Sequence, residues 1–265
     1  MIKPFLFACI IPVCMVAKVH YARVEPYASV VMKAAVSGLV VEVDLEAEGS
    51  MVEKGRIVHI DDRLEKQNLK DSRKSVQLLK QMLVLNEQIA ASLEETVKRQ
   101  EGYYRRISKL PTASKTQKDS AYSTYASANT QYLGTKEKMI SLQKQILDME
   151  YRVAQLQDTI MKKSIFLSHQ YLYRLMVRVG DFVAPGTPLA KVEDMSRAKL
   201  VLFLEPEEFK NIKARVVYID GEKTSYHVDK VWRVADEKFI SSYRAEIYLP
   251  APKEKFSQLL KVELK

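Results

Sequence analysis

The sequence is poor in the residues from which most catalytic and ligand-binding sites are built. Glycine occurs only eight times in 265 residues, which disfavours phosphate-cradling loops and glycine-rich sandwiches. No Gly-x-Ser-x-Gly elbow, P-loop or dinucleotide fingerprint is present. The two cysteines, Cys9 and Cys14, both fall in the first apolar run. If that run is removed, the mature chain has no thiol, so a disulfide, a thiolate zinc site and a cysteine nucleophile are all excluded. His20, His59, His169 and His227 are scattered without ligand spacing. The paired acids Asp61-Asp62 and Glu207-Glu208 read as helix starts, not as catalytic carboxylates. Lys and Arg number 42 against 33 acids, a formal charge of +9. The basic residues are mixed with acids along most of the chain, the pattern of a solvated helical surface rather than of a nucleic-acid-binding stripe. No enzyme activity, cofactor, metal or nucleic-acid partner is expected.

What the sequence does contain begins with a leader. Met1-Ile2-Lys3 is a short basic start, Phe5 to Ala17 is apolar, and Lys18 ends the run. The apolar core is shorter than the roughly 20 residues of a spanning helix and fits a secretory signal over 1–17. Cleavage after Ala17, lipidation at Cys14 and retention as an anchor remain open. All three place the rest of the chain outside the cytoplasm.

From about Asp62 to Lys163 the composition turns to Gln, Lys, Glu, Leu and Ser, with Pro only at 111 and Gly only at 102 and 134. Apolar residues fall on alternating steps of three and four, the sign of a coiled coil. One arm carries Leu69, Ser72, Val76, Leu79, Leu83, Asn86 and Ala90, then Leu93, Val97, Gln100, Tyr104 and Ile107. The other carries Ala121, Tyr125, Ala128, Tyr132, Thr135 and Met139, then Leu142, Ile146, Met149, Val153, Leu156 and Ile160. Folding the chain at its midpoint pairs Leu79 with Ile146, Leu83 with Leu142 and Tyr104 with Ala121, so large side chains tend to face small ones near the bend. Asn86 opposite Met139 and Gln100 opposite Tyr125 are polar layers of the kind that fix register at some cost in stability. Pro111 ends the first helix, and Ser114 with Gln117 spells a capping box for the second. Asp62 to Glu65 is a similar start signal. Each arm is close to fifty residues, roughly 70 Å at 1.5 Å per residue.

A small turn flanks this rod twice. Gly49-Ser50-Met51-Val52-Glu53-Lys54-Gly55 and Gly180-Asp181-Phe182-Val183-Ala184-Pro185-Gly186 share the pattern Gly-x-x-Val-x-x-Gly, each between β-branched runs, so each copy reads strand, turn, strand. An isolated hairpin is marginal; two halves brought together by a returning rod can close one sandwich. Beyond the second copy, Lys199–Leu204 reads as a strand and Glu205–Ile212 as a short helix begun by Pro206. Further strands follow near 215–219, 228–234, 242–249 and 261–264.

With these residues in place, the chain resembles the membrane fusion proteins, or periplasmic adaptors, of the HlyD family. Ala34 to Gly55 and Val177 to Asp194 look like the two half-motifs of a split lipoyl-like (biotinyl-like) domain, with Gly38, Gly49, Val52, Gly55, Gly180, Val183 and Gly186 at its turns. The second half has no glycine equivalent to Gly38, with Ser168-His169-Gln170 in that neighbourhood. The resemblance implies an α+β fold: a long antiparallel coiled-coil hairpin inserted in a split lipoyl-like β-sandwich, followed by a small β-barrel domain. The implied divisions are 18–33, pairing with the barrel; 34–61 and 164–195, the two lipoyl-like halves; 62–163, the hairpin with its tip near 110–114; and 196–265, the barrel. A membrane-proximal domain is expected to be absent or reduced. No lysine stands on a tight turn between the halves, which argues against a swinging-arm carrier. The resemblance further implies a periplasmic adaptor on the inner membrane, joining a resistance-nodulation-division or ABC transporter to a TolC-type outer-membrane channel, with six copies per complex. Arg106, Leu110 and Ser114 stand in the order of the family's channel-docking residues. The plainer reading of the three is a solvated charge, a plug at the end of the seam and a helix cap. A stand-alone structural coiled-coil protein of the envelope is the rival for the whole chain.

Overall fold

The computed structural model describes residues 18–235, 242–252 and 256–265; the leader, with Cys9 and Cys14, lies outside them. Strands β1 (Val19–Lys33), β2 (Gly38–Val43) and β3 (Ser50–Ile60) precede helices α1 (Arg63–Lys109) and α2 (Lys115–Lys162). Then come β4 (Ser164–Leu175), β5 (Phe182–Val183), β6 (Pro188–Leu204), a 3-10 turn at Ile212–Ala214, β7 (Val217–Ile219), β8 (Glu222–Lys223), β9 (Lys230–Ala235), β10 (Tyr243–Pro250) and β11 (Leu259–Leu264). The strands run antiparallel in the order β5-β2-β3-β4-β6-β1-β11-β7-β8, with β10 also on β6 and β9 on β10. The architecture is α+β, a two-helix hairpin and antiparallel strands.

The helices are 47 and 48 residues long, and every position of the predicted seam is buried or half-buried. Leu142 and Ile146 are the large buried residues of α2, with Ala121 and Ala128 nearer the bend. Full burial of each large aliphatic side chain is worth ~1.5–3 kcal/mol, and this seam, not helix propensity, holds the rod. Two contacts fix the register that fold-back requires. Tyr104 lies against Tyr122 and stacks on Tyr125, with centroids 5.4 and 6.2 Å away, and Lys80 pairs with Glu150 at 2.7 Å. Asn86 is buried and donates its Nδ2 hydrogen to the Met82 carbonyl at 2.7 Å, so its layer is satisfied within one helix.

Two apolar clusters occupy the sheet. One takes Val40, Ile57, Val58 and Ile60 from before the rod and Leu167, Leu172, Leu175, Val183, Leu189 and Val192 from after it. The other joins Ala22 and Val24 to Ala198, Leu200, Leu202, Leu204, Val217, Ala245, Ile247 and Val262. Strand β6 serves both clusters without interruption. Its first half pairs with the end of β1 and with β4, and its second half pairs with β10. Leu200, Leu202 and Leu204 alternate inward with the period of two that a one-faced strand requires. Strand β1 pairs with β11 over Val19–Arg23, with the second half of β6 over Val24–Pro26, and with the first half of β6 from Ala28 onward.

At the rod base, Lys163 is 5% exposed. Its ammonium donates to the Asp61 carbonyl at 2.6 Å and pairs with Glu65, while its own carbonyl accepts from the Ile60 N–H at 2.8 Å. Asp62 was expected to cap α1, but its side chain makes no cap hydrogen bond. The buried carboxylate is taken instead by Lys66 at 2.9 Å and approached by His59 at 3.5 Å. Asp61 supplies the local turn: Arg63 donates to it from the backbone and, bidentately, from the guanidinium. That arrangement holds the Asp61 carboxyl down at about 2.

Three further expectations are corrected. Residues Glu205 to Asn211 form turns, not a helix: the Glu208 carboxylate accepts the Glu205 N–H, and Asn211 is left-handed at φ 57°, which stops helical propagation. Leu110 does not plug the seam, being 45% exposed. The two Gly-x-x-Val-x-x-Gly copies also differ. The first turn closes at Gly49, and Ser50 to Ile60 continue as β3 paired with β4, so Val52 and Gly55 are strand residues. In the second copy Gly180 and Gly186 both have positive φ and bracket the two-residue β5.

Two stability predictions follow from this geometry. A Cβ added at Gly38 would sit 2.6 Å from Ile60 Cγ2, and Ile60 is fully buried. Gly38→Ala is expected to cost ~1–3 kcal/mol in urea unfolding, while Gly134→Ala, which meets nothing within 4 Å, gains up to about 1 kcal/mol. Equal effects of the two would contradict the close approach. For Asp61 the folded pKa of about 2 lies below the ordinary 3.8. Its contribution is therefore present above the ordinary value and lost as pH falls toward the folded one. Asp61→Asn is expected to flatten the acid limb of stability in that window; an unchanged limb would remove Asp61 as its source.

Candidate functional site

The rod ends in a turn of Leu110 to Ser114 between two helices. The turn forms there because Pro111 has no N–H for helix continuation and Leu110 has left helical geometry, with ψ at 121°. The Leu110 N–H still donates to the Ile107 carbonyl at 3.1 Å. Ser114 then starts α2 with a complete capping box. Its Oγ accepts from the Gln117 N–H at 3.2 Å, and its own N–H donates to Gln117 Oε1 at 2.9 Å.

Arg106, Leu110 and Ser114 are all exposed at this end. Arg106 lies in the last turn of α1 and folds back so that its guanidinium approaches within 3.7 Å of where a Cβ on Gly102 would be. Together with Lys98, Arg99, Gln100, Gly102 and Tyr103 it lines a shallow groove of about 480 Å³. Lys98 is engaged by Glu94 at 2.7 Å and Arg99 by the Thr96 hydroxyl at 3.3 Å. The tip thus presents an apolar side chain and a capped helix start, with Arg106 one turn behind Leu110 and the cationic groove running back from it along α1. The sequence pattern located the three residues; the groove was not foreseen, and its one local signal is the small Gly102 four residues before Arg106.

The other residues singled out in the sequence lie at the opposite end. Val183 is buried and Val52 packs half-buried against the same cluster. Gly38 opens β2 opposite Val183. His169 has φ 51° and lies in β4 between Ser168 and Gln170, which pair with Lys54 and Val52 of β3. The four histidines stand apart, each beside a different carboxylate: Glu208, Asp62, Glu53 and Asp229. Among the described residues no helix is long and apolar enough to cross a membrane.

No protein-family model matches the sequence, and no curated protein does. Solved structures do. MacA from Actinobacillus actinomycetemcomitans matches with a TM-score of 0.74 at 16% identity, over 94% of this chain and 78% of its own. A MacA–MexA chimera carrying the Pseudomonas aeruginosa MexA α-hairpin domain matches at 0.58 and 18% identity, over 94% and 79%. The membrane fusion protein Spr0693 from Streptococcus pneumoniae R6 matches at 0.56 and 10% identity, over 94% and 99%. At these identities the likeness is one of architecture: this chain has the fold of membrane fusion proteins.

Proposed function

We propose that the protein is a periplasmic adaptor with no catalytic role, joining an inner-membrane transporter to a TolC-type outer-membrane channel for efflux or secretion. The observation that carries this reading is the rod itself. It is one continuous seam with a capped tip, inserted between two stretches of chain that share one core. Such a rod contributes reach and an end surface, not a reaction site. The fold shared with MacA and Spr0693 supports the same reading.

In this reading the chain leaves the inner membrane near Lys18. Residues 34–61 and 164–195 form a split lipoyl-like domain, and 196–265 with the start of β1 form a small barrel at the membrane end. The pairing of Val19 with Glu263 brings the two ends of the described chain to one place, consistent with a single membrane-facing base. Several copies, six by resemblance, surround one conduit, and the tips meet the channel. Arg106 and its cationic groove suit carbonyl and carboxylate groups on the channel, and Leu110 supplies an apolar contact beside them. Ser114 fixes the turn that presents both.

Arg106→Asp and Leu110→Asp are each expected to weaken channel capture by about tenfold or more, an Arg contact being a common source of that much binding energy. Far-ultraviolet circular dichroism should stay unchanged, since both side chains are exposed. The measurement is co-purification of the tagged protein with channel and transporter after crosslinking in the envelope. Undiminished channel recovery with a folded rod would remove the tip from the interface. Recovery of neither partner would favour a stand-alone structural coiled coil.

A further inference from the structure

The rod has a second apolar pattern that its own seam leaves unused. On α1, Leu78, Met82, Leu85 and Ile89 are 51%, 44%, 57% and 50% exposed. On α2, Leu133, Ile140 and Leu147 are 56%, 66% and 66% exposed. Both sets repeat at helical spacing. With the seam at heptad positions a and d, Leu78 and Leu85 are c, Met82 and Ile89 are g, and the three α2 residues are b. In an antiparallel pair g flanks g and e flanks e. The α1 stripe therefore lies on one flank of the hairpin and the α2 stripe on the other. The Lys80–Glu150 ion pair, e to e, marks the flank of the α2 stripe.

Two of the three α2 heights also agree, while Leu133 stands level with Ser92. Because Leu79 pairs with Ile146 in the seam, Leu78 stands level with Leu147; one heptad toward the tip, Leu85 stands level with Ile140. A rotation about an axis parallel to the rod keeps every residue at its height, so it brings the α1 stripe of one copy onto the α2 stripe of the next. The charged neighbours match as well. Glu87 is at e and Lys138 at g, on opposite flanks at one level; both are exposed, and among the described residues neither has an ion pair in its own chain. Arg73 and Arg152 come level closer to the base, below the last apolar pair, and mark where the contact ends.

We infer that these two stripes are the two halves of one head-to-tail contact between copies of this chain, α1 of one rod against α2 of its neighbour. Two different patches on opposite flanks make a heterologous interface, which propagates around a ring and does not stop at a dimer. The inference rests on the adaptor reading for the parallel direction of the rods. It adds which faces meet, and it confines the apolar contact to the middle of the rod, short of the tip.

The test uses the full chain in its own envelope, with Leu85→Cys and Ile140→Cys combined and a short bis-maleimide added. The two thiols sit on opposite flanks of one hairpin, so a short crosslinker joins them only between copies. The expected result is a ladder of covalent multimers beyond the dimer, absent from each single variant and from the natural protein with Cys9 and Cys14. On a Leu78→Cys, Leu147→Cys background, Leu85→Glu should lower the ladder about tenfold, and adding Ile140→Lys should restore it. No ladder, a dimer already formed by one single variant, or crosslinks chiefly to a different protein would each overturn the inference. Recovery of the channel from the same cells separates the two proposals: a missing ladder with channel present leaves the adaptor reading intact, and a ladder without channel or transporter leaves this contact intact.

Discussion

The buried ammonium of Lys163 joins the end of the rod to its beginning. It is held by the Asp61 carbonyl and the Glu65 carboxylate, about a hundred residues earlier in the chain, while the Lys163 carbonyl takes the N–H of Ile60. A cation taken out of water is tolerated only when paired and hydrogen-bonded. These bonds can form only when α2 has returned in register with α1. The same register sets His59 opposite Ser164 and starts the β3–β4 ladder. A slip in the seam would strand the charge and misalign the ladder together, so the junction couples the precision of the rod to the closure of the core beneath it.

This coupling suggests an order of assembly. The core beneath the rod draws on both sides of a long insertion, a contact whose loop-closure entropy is unfavourable if the insertion is disordered. The rod removes that cost by local steps. The capped turn at Ser114 needs only neighbouring residues, and seam pairs add outward from it at steadily growing separation. By the time Leu69 meets Leu156, the two halves of the core are already adjacent. Residues of opposite character do this work at the two ends: the hydroxyl and amide of the capping box at the tip, the buried charges at the base.

Legibility in the sequence followed the range of the interaction. The seam was readable because period and composition repeat over many turns, and the Ser114–Gln117 box because its partners are three residues apart. Positions set by distant pairing were not. Asp62 looks like a cap, yet Lys66 and His59 claim its carboxylate. Val52 and Gly55 look like a copy of the second turn, but β4 is long enough to draw them into a ladder. Residues 188–204 read as separate pieces because nothing in their local pattern says that one strand crosses from one core to another. At the tip, the sequence supplied the residues in order and the cap, whereas the groove beside Arg106 depends on a side chain folding over Gly102.

The rod divides its outer surface by chemistry along its length. Exposed leucines, isoleucines and a methionine occupy the middle, while the end carries Arg99, Arg106 and a capped turn. The two regions suit different contacts. Apolar area buried between copies is weakly dependent on salt and favours a standing assembly. Charged groups at an exposed end steer encounter and discriminate partners, but contribute modest net energy because they must shed water. In the proposed assembly, such a rod holds its neighbours firmly and meets a partner at its tip reversibly. That division requires the apolar stripes to stop before the tip. On α1 the aliphatic stripe does stop: the next three c and g positions after Ile89 are Ser92, Thr96 and Arg99, and the one beyond them is Tyr103 of the tip groove, although the inner seam continues through Val97 and Tyr104. The change on the flanks is therefore not a fading of the coiled coil but a separate pattern laid over it, and the seam alone does not require it.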